Sequence, residues 1–575
     1  MESTRPMHNL RALSPIVALV LLEGLRTAPA LAQSAANLVP STFEPQTQRS
    51  VGTVRVARDP GAPVPAGAER LQVTVGDVRI EGGLPQMAAA NAAFEQSLSG
   101  KRVKVSDIFQ ATSALETEYT SAGYVLSRVV LPQQTLRDGG TLRIVIIDGF
   151  VESIDSKLVP EQARDRVVAI TRPLIGQRSV RLHEIERSLL LAGDTFGLRL
   201  ASTLSPGQGT GGTVLTLDGE FREVTGFYGF DNTLSDELGP LNLSFGAEIN
   251  GALKMGETFY FRAGGSPVDY FAEDARYRYL AAGAVFPVGT SGLTFNVEGT
   301  WSNSTPDVEV FPNQSSFERL SFRLYYPWVR SRQFNLSSQL ILDRVNDSQD
   351  LTGPVEFPIY EDDLSVLRAT LIGSWNFEDG SYLQTSAILS QGLDAFGASA
   401  DIGFGDTPLS RDGASAVFTK LVLGAQYERP FADNWLFAVN GRIQDSFGEP
   451  LVTSEQMTIA NVNELSTFDA GDIRGDDGWV VRSEIGRTQD VNLFGVPLLS
   501  NLYAFGAYGE VGIVKPTAVE QDVVKAYSYG IGADLLTIED SPYRSGSLRV
   551  EYGRGERDDL QPDGNRFTIV ANRRF

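Results

Sequence analysis

From about Glu220 to its end the chain is a succession of two-faced segments. In LTFNVEGTW, Leu293, Phe295, Val297, Gly299 and Trp301 fall on one side, and Thr294, Asn296, Glu298 and Thr300 on the other. A period of two marks β-strands, whose successive side chains point to opposite faces. RLSFRLYYPW repeats the rule, with Leu320, Phe322, Leu324, Tyr326 and Trp328 opposite Arg319, Ser321 and Arg323. It returns in the stretches 367–377, 435–443 and 548–552, between connections rich in Gly, Asp, Ser and Pro. No helical pattern interrupts this half.

Alternation alone does not separate a soluble sandwich from a barrel in lipid. Strands of nine or more residues with aromatics near their ends and charges on the opposite face fit tilted transmembrane strands with an aromatic girdle and a polar lumen. At roughly 22 residues per strand and connection, residues 222–575 accommodate about 16 antiparallel strands. No stretch beyond the first 32 residues is apolar enough for a spanning helix, so a membrane assignment requires a closed barrel, which leaves no backbone edge in lipid. The final RFTIVANRRF sets Phe567 and Ile569 on one face and ends on Phe575, a pattern read here as a barrel-assembly signal.

The preceding region has a different rhythm. LQVTVGDVRI alternates as a strand, Pro85 to Leu98 reads as a helix, and SDIFQATSALETEYTSAG as a second helix. In the second helix Ser106 is the expected cap, Ile108, Leu115 and Tyr119 form one face, and Gly123 is the left-handed stop. Strands YVLSRVVLP and TLRIVIIDG complete a β-α-α-β-β order that recurs from Phe150 to about Asp218. The expectation is two tandem α+β modules, 71–149 and 150–221, followed by an all-β barrel, 222–575. Residues 33–70, with five prolines, have linker composition. Residues 1–32, with Arg5 and Arg11 before an apolar run and Ala30-Leu31-Ala32 at the end, read as a secretory signal peptide.

Composition narrows the function. With 49 basic against 71 acidic residues the net charge is −22, which disfavours nucleic acid. There is no cysteine, and the two histidines are His8 in the leader and His183 on a module helix, so no metal site, cofactor site or catalytic triad is expected. Neither GxSxG nor GxxxxGK[ST] occurs, which points away from an enzyme and from ATP as the energy source.

Two stretches carry a family resemblance. YTSAGYVLSRVVLPQQTLRDGGTLRIVIIDGFVESI, from Tyr119 to Ile154, resembles the first POTRA module of the two-partner secretion outer-membrane transporters (TpsB) of the haemolysin secretion/activation type. The matching positions include Gly123, Tyr124, Arg128, Pro132, Gln134 and Gly149. GDIRGDDGW, from Gly471 to Trp479, is similar to the Val-Arg-Gly-aromatic tip of the family's long inward-folded loop, here about 448–478. Ile473, Arg474 and Gly475 fit, while Asp476 stands where an aromatic is usual.

The resemblance implies that Arg474 meets an aromatic-x-acid motif on the barrel wall, for which Tyr508 and Glu510 qualify, so that a double charge swap would restore what each single change loses. It also implies a plug helix within 33–70. It places the barrel in the outer-membrane lipid of a Gram-negative bacterium, inserted by the barrel-assembly machinery with periplasmic chaperones, and the POTRA modules in the periplasm. The partner would be a large β-rich exoprotein, captured on a POTRA edge such as YVLSRVVLP or LRLASTLSP. A barrel-assembly factor and a passive porin or adhesin are the alternatives.

Overall fold

The computed structural model describes residues 35–39, 43, 55–56, 64–309, 311–353, 356–399, 407–493, 495–518, 520–538 and 543–575. The expected signal peptide lies outside them. The first elements among the described residues are a short helix α1 (Ala35–Leu38) and a two-residue strand β1 (Arg55–Val56).

The first α+β unit comprises β2 (Gln72–Glu81), α2 (Ala88–Leu98), β3 (Arg102–Lys104), α3 (Val105–Ser121), β4 (Arg128–Val130) and β5 (Gly140–Ile147), with sheet order β3-β2-β5-β4. The apolar face of α3 packs Ile108, Leu115 and Tyr119 against Tyr124, Val129, Leu142 and Ile144. Gly123, at φ +94°, ends the helix turn as its missing side chain permits. Ser106 is not the cap. The helix starts one residue earlier, and Asp107 reaches back to accept the Lys104 N–H at 3.3 Å.

The second unit has β6 (Phe150–Leu158), α4 (Glu161–Thr171), α5 (Leu182–Gly193), β7 (Leu198–Pro206) and β8 (Gly212–Phe221). Its sheet order is β1-β7-β8-β6, with β1 parallel to β7. Of the two edges proposed for peptide capture, LRLASTLSP is therefore covered by the chain's own residues 55–56, whereas β4 ends its sheet. Among the described residues this coverage is confined to Thr203 and Leu204, while the other edge of β7 is paired with β8 throughout.

Sixteen antiparallel strands, from Val224–Asp231 to Gly564–Arg574, each pair with the next and close into a barrel. Burial decides between water and lipid. On the strand Asn313–Arg330, Leu320, Phe322 and Leu324 are about two-fifths exposed while Ser321 and Arg323 between them are buried. On Leu293–Ser304, Glu298 is 1% exposed and Trp301 46%. Apolar outside and polar inside is the reverse of a soluble protein, and it is stable only where lipid covers the outer face. Trp328, Trp375 and Trp435 stand near the short-turn ends of their strands and Trp301 and Trp479 near the long-loop ends, flanking the apolar band.

Phe322→Arg, at the middle of this outer face, is expected to destabilise the inserted barrel by ~2–4 kcal/mol. Urea titration of the heat-modifiable folded band in lipid vesicles measures it. An unchanged midpoint would remove the lipid-facing assignment.

Candidate functional site: an inward loop in a charged lumen

After the strand Trp435–Asp445 the chain turns inward, fills the lumen over residues 446–476 and rejoins the wall at Asp477–Leu493. Met457–Thr458 and Arg474–Gly475 pair antiparallel, tying the loop to itself. Its apolar residues Met457, Ile459, Leu465 and Ile473 pack on Val480, Ala507 and Val511 of the wall. Its acids do the rest.

Glu455, 2% exposed, receives Arg368 at 2.6 Å and Lys420 at 2.7 Å. Glu464 forms a two-pronged pair with Arg442, both contacts at 2.8 Å. Asp469 pairs with Arg566, and Asp472 with Arg557. Asp476, wholly buried, is paired with Arg411 and accepts the N–H groups of Val514 at 2.7 Å and Leu451 at 3.0 Å and the Gln456 amide at 3.1 Å. Ser466 is held between Arg482 and Glu551, themselves paired at 2.6 Å, with the Arg482 guanidinium 4.1 Å from the Phe505 ring centre. Rigid guanidinium forks suit such two-oxygen contacts.

This arrangement corrects the expected anchor. On the strand Val496–Gly512 the buried, inward residues include Tyr503, Phe505, Ala507 and Val511, so Tyr508 and Glu510 lie on the opposite, outer face. The Tyr508 ring packs 5.1 Å from Trp479 and 4.6 Å from Tyr527, and its hydroxyl donates to Glu510 at 3.2 Å. The structure does not bring Arg474 to Glu510. A period of two put the motif on the wrong face, since aromatic-x-acid spacing is satisfied equally on either side. Arg474 instead lies in the lumen, where the groups acting on its charge are Tyr360 and Asp347 of the facing wall, then Asp472 and Glu520. A swap of Arg474 with Glu510 is therefore expected to offer no rescue.

The sequence did hold a signal for the real anchors: residues 446–476 contain six acids and one arginine. Asp476, noted only as a departure from an aromatic, is the most densely bonded of them. The α1 helix also occupies the lumen. Ala35 packs against Phe317, Leu364, Leu451 and Val452, its N–H donates to Ser315 Oγ at 3.2 Å, and Tyr277 donates to the Leu38 carbonyl at 2.8 Å.

Of the POTRA-signature residues, Gly123, Tyr124 and Gly149 lie at the junction of the two units, whereas Arg128 and Gln134 bond within the first. The Arg181 guanidinium lies 5.5 Å from the Tyr124 ring centre, and Leu182 N–H donates to the Gly123 carbonyl at 2.8 Å. A Cβ on Gly149 would lie 2.0 Å from the Leu126 carbonyl oxygen, so the bridge admits only glycine. Arg128 pairs with Glu116 at 3.2 Å. Gln134, two residues after Pro132, bonds both the N–H (2.9 Å) and the C=O (2.8 Å) of Arg143, continuing the sheet beside β5. The adjacent Arg143, hydrogen-bonded to Glu81, holds that carboxyl below its usual range. His183 is exposed on α5.

Beneath the barrel the second unit docks through α4 and α5. Asp194 receives Arg330 at 2.9 and 2.8 Å, Arg187 donates to the carbonyl of Pro327 at 2.9 Å, and Lys254 of a barrel turn meets Glu161 at 2.5 Å. That lysine holds Glu161 below the usual carboxylate range. Above the docked helix is a cavity lined by Phe196, Asn296, Arg323, Tyr325 and Arg330. At the closing seam, Phe575 and Gly226 exchange N–H···O=C bonds, both 3.0 Å, and Arg574 pairs with Glu248 at 3.0 Å. Phe567 and Phe575 face outward, half-exposed, and Ile569 shares the face of Phe567, opposite buried Thr568.

A sixteen-stranded barrel that holds its own loop and the α1 helix in its lumen, preceded by an α+β POTRA region, is the architecture of the POTRA–barrel outer-membrane transporters. The family model for the haemolysin secretion/activation protein ShlB/FhaC/HecB matches residues 213–535, and that for the ShlB-type POTRA domain matches 74–149. The chain belongs to this haemolysin secretion/activation family, the transporters of two-partner secretion, with its barrel in the outer membrane and its POTRA region in the periplasm. It is similar to the heme/hemopexin transporter protein HuxB of Haemophilus influenzae, 22% identical over 450 residues and 75% of each chain. Solved structures of the same fold are CdiB from Escherichia coli (TM-score 0.66, 20% identity, 99% of this chain and 100% of that one) and CdiB from Acinetobacter baumannii (TM-score 0.60, 16% identity, 98% of each).

Glu455→Ala leaves Arg368 and Lys420 buried without their shared partner, and is expected to cost about 3–5 kcal/mol and free the loop. Protease accessibility of residues 446–476 in intact vesicles reads this directly. Glu510→Gln, on the outer face, should leave the cleavage pattern unaltered; the reverse ranking would restore the expected anchor.

Proposed function

We propose that this protein exports one large, β-rich exoprotein through its barrel, without nucleotide hydrolysis. The observation that carries the reading is the lumen: it is occupied by α1 and residues 446–476, held by side-chain contacts that water or a passing chain can replace. A passive porin needs no such filling. The absence of a GxxxxGK[ST] motif fits transport driven by capture in the periplasm and folding of the exported chain outside.

In this reading residues 1–32 are the signal peptide, 33–70 carry the plug, and 71–149 and 150–221 are two POTRA modules. The β4 edge, with Val130 exposed, offers backbone N–H and C=O groups to an extended chain, which would add to the sheet as a new strand. Along β7 the exported chain would extend or displace β1. Arg474 and the loop acids keep residues 446–476 in register and perform no chemistry. Phe567, Ile569 and Phe575 serve recognition by the barrel-assembly machinery, with periplasmic chaperones delivering the unfolded barrel to the outer-membrane lipid.

The test is co-expression in a Gram-negative host with the large exoprotein encoded beside this chain, with and without residues 71–218. Passenger at the surface or in the medium only when both modules are present is the expected result. A passenger retained in the periplasm while the barrel inserts normally would overturn the assignment and reopen the barrel-assembly and porin alternatives.

A further inference from the structure

The strands Thr258–Gly265, Leu293–Ser304 and Asn313–Arg330 carry on their inner face a cluster that the loop does not use. At its centre Glu298 is fixed by Tyr260 Oη at 2.8 Å, Arg262 at 3.0 Å, Thr300 Oγ1 at 3.2 Å and Arg319 at 3.6 Å. These partners belong to the wall, so the carboxylate is held in place whatever the lumen contains.

One residue of the N-terminal segment sits on this cluster. Phe43 donates its N–H to Glu298 at 2.8 Å, and its carbonyl accepts from Arg323 Nη1 at 2.6 Å and Asn296 Nδ2 at 3.4 Å. Its ring stacks on Tyr260 with centroids 4.1 Å apart and planes 19° from parallel. Nothing in these contacts reads more than an amide N–H, a carbonyl and a flat apolar side chain.

Arg323, 3% exposed, keeps two further donors, Nε and Nη2, that have no hydrogen-bond partner among the described residues. Buried guanidinium N–H groups without acceptors are costly, and peptide carbonyls are the acceptors a conduit for polypeptide would supply. Arg323 and Asn296 also line the cavity above the docked POTRA helix, so the cluster stands directly beyond the periplasmic mouth.

We propose that Tyr260, Asn296, Glu298 and Arg323 form a peptide-binding station on the conduit wall, which takes an extended segment of the exported chain at an aromatic residue. Phe43 occupies the station at rest as an internal stand-in. The inference rests on the transporter reading above and adds the chemistry by which the lumen grips its cargo. Main-chain contacts make the station tolerant of sequence, and the Tyr260 stack gives it a preference for aromatic side chains. Contacts confined to one residue let the cargo step onward.

The experiment uses the full-length protein in planar lipid bilayers, with conductance as the readout. Phe43→Ala is expected to raise the open fraction of the pore. The probe is the capped peptide VPSTFEPQT, copied from residues 39–47, with its Phe-to-Ala counterpart and a scrambled version that keeps the phenylalanine. Both Phe-containing peptides should reclose the Phe43→Ala pore at about tenfold lower concentration than the Ala peptide. Adding Tyr260→Ala, or Tyr260→Leu with closer volume, should erase that difference in protein whose heat-modifiable band shows a folded barrel. Equal block by all three peptides, or a preference that survives loss of the Tyr260 ring, would overturn the station. Passenger export separates the two ideas: a peptide preference without export leaves the station and removes the transporter, and export without any preference does the opposite.

Discussion

A barrel that shows its apolar face to lipid must turn its polar face inward, and everything distinctive in this structure follows from that inversion. Sixteen strands enclose a lumen too wide for wall side chains to fill, so Arg368, Arg442, Arg557 and Arg566 project into a space where another part of the chain supplies acidic partners. The loop 446–476 brings acids to them, and α1 covers an apolar patch beside it. Buried ion pairs of this kind add little net stability over a well-packed apolar alternative, but each is expensive to break singly. They fix position more than they add cohesion.

That property suits a pore that must hold closed and still open. An apolar plug would resist water, whereas carboxylates and guanidiniums exchange partners with water, with one another and with a passing peptide. The Glu298 cluster uses the same chemistry on a smaller scale, engaging one residue's N–H, C=O and ring. The N-terminal segment reaches two parts of the structure: Ala35, Leu38 and Phe43 contact the lumen wall, and residues 55–56 pair with β7 of the second α+β unit.

Much of the architecture was legible in the sequence. The α+β character of the N-terminal region and the count of sixteen barrel strands follow from periodicity, because a helix face and a strand face impose different spacings on apolar residues; the three-residue β3 between the helices of the first unit is too short to show a period and was not expected. Family resemblance located the inward loop. Ser106 was misread as a cap because propensity names a residue type, while the first hydrogen bond decides which residue begins the helix. Tyr508 and Glu510 failed for a related reason: their spacing is right, but spacing of two fits both faces of a strand, and parity with Leu502 places them outside.

By itself, the sequence determined which side chains share a face and that the loop is acidic. These are local properties, set by the strand's period of two and by composition. Only the tertiary structure decided which face meets lipid, which arginine meets which acid, that β1 covers β7, and that Phe43 rests on Glu298. Those depend on residues hundreds of positions apart being brought together by closure of the barrel, and the register of one strand against the next carries no mark in the segment that obeys it.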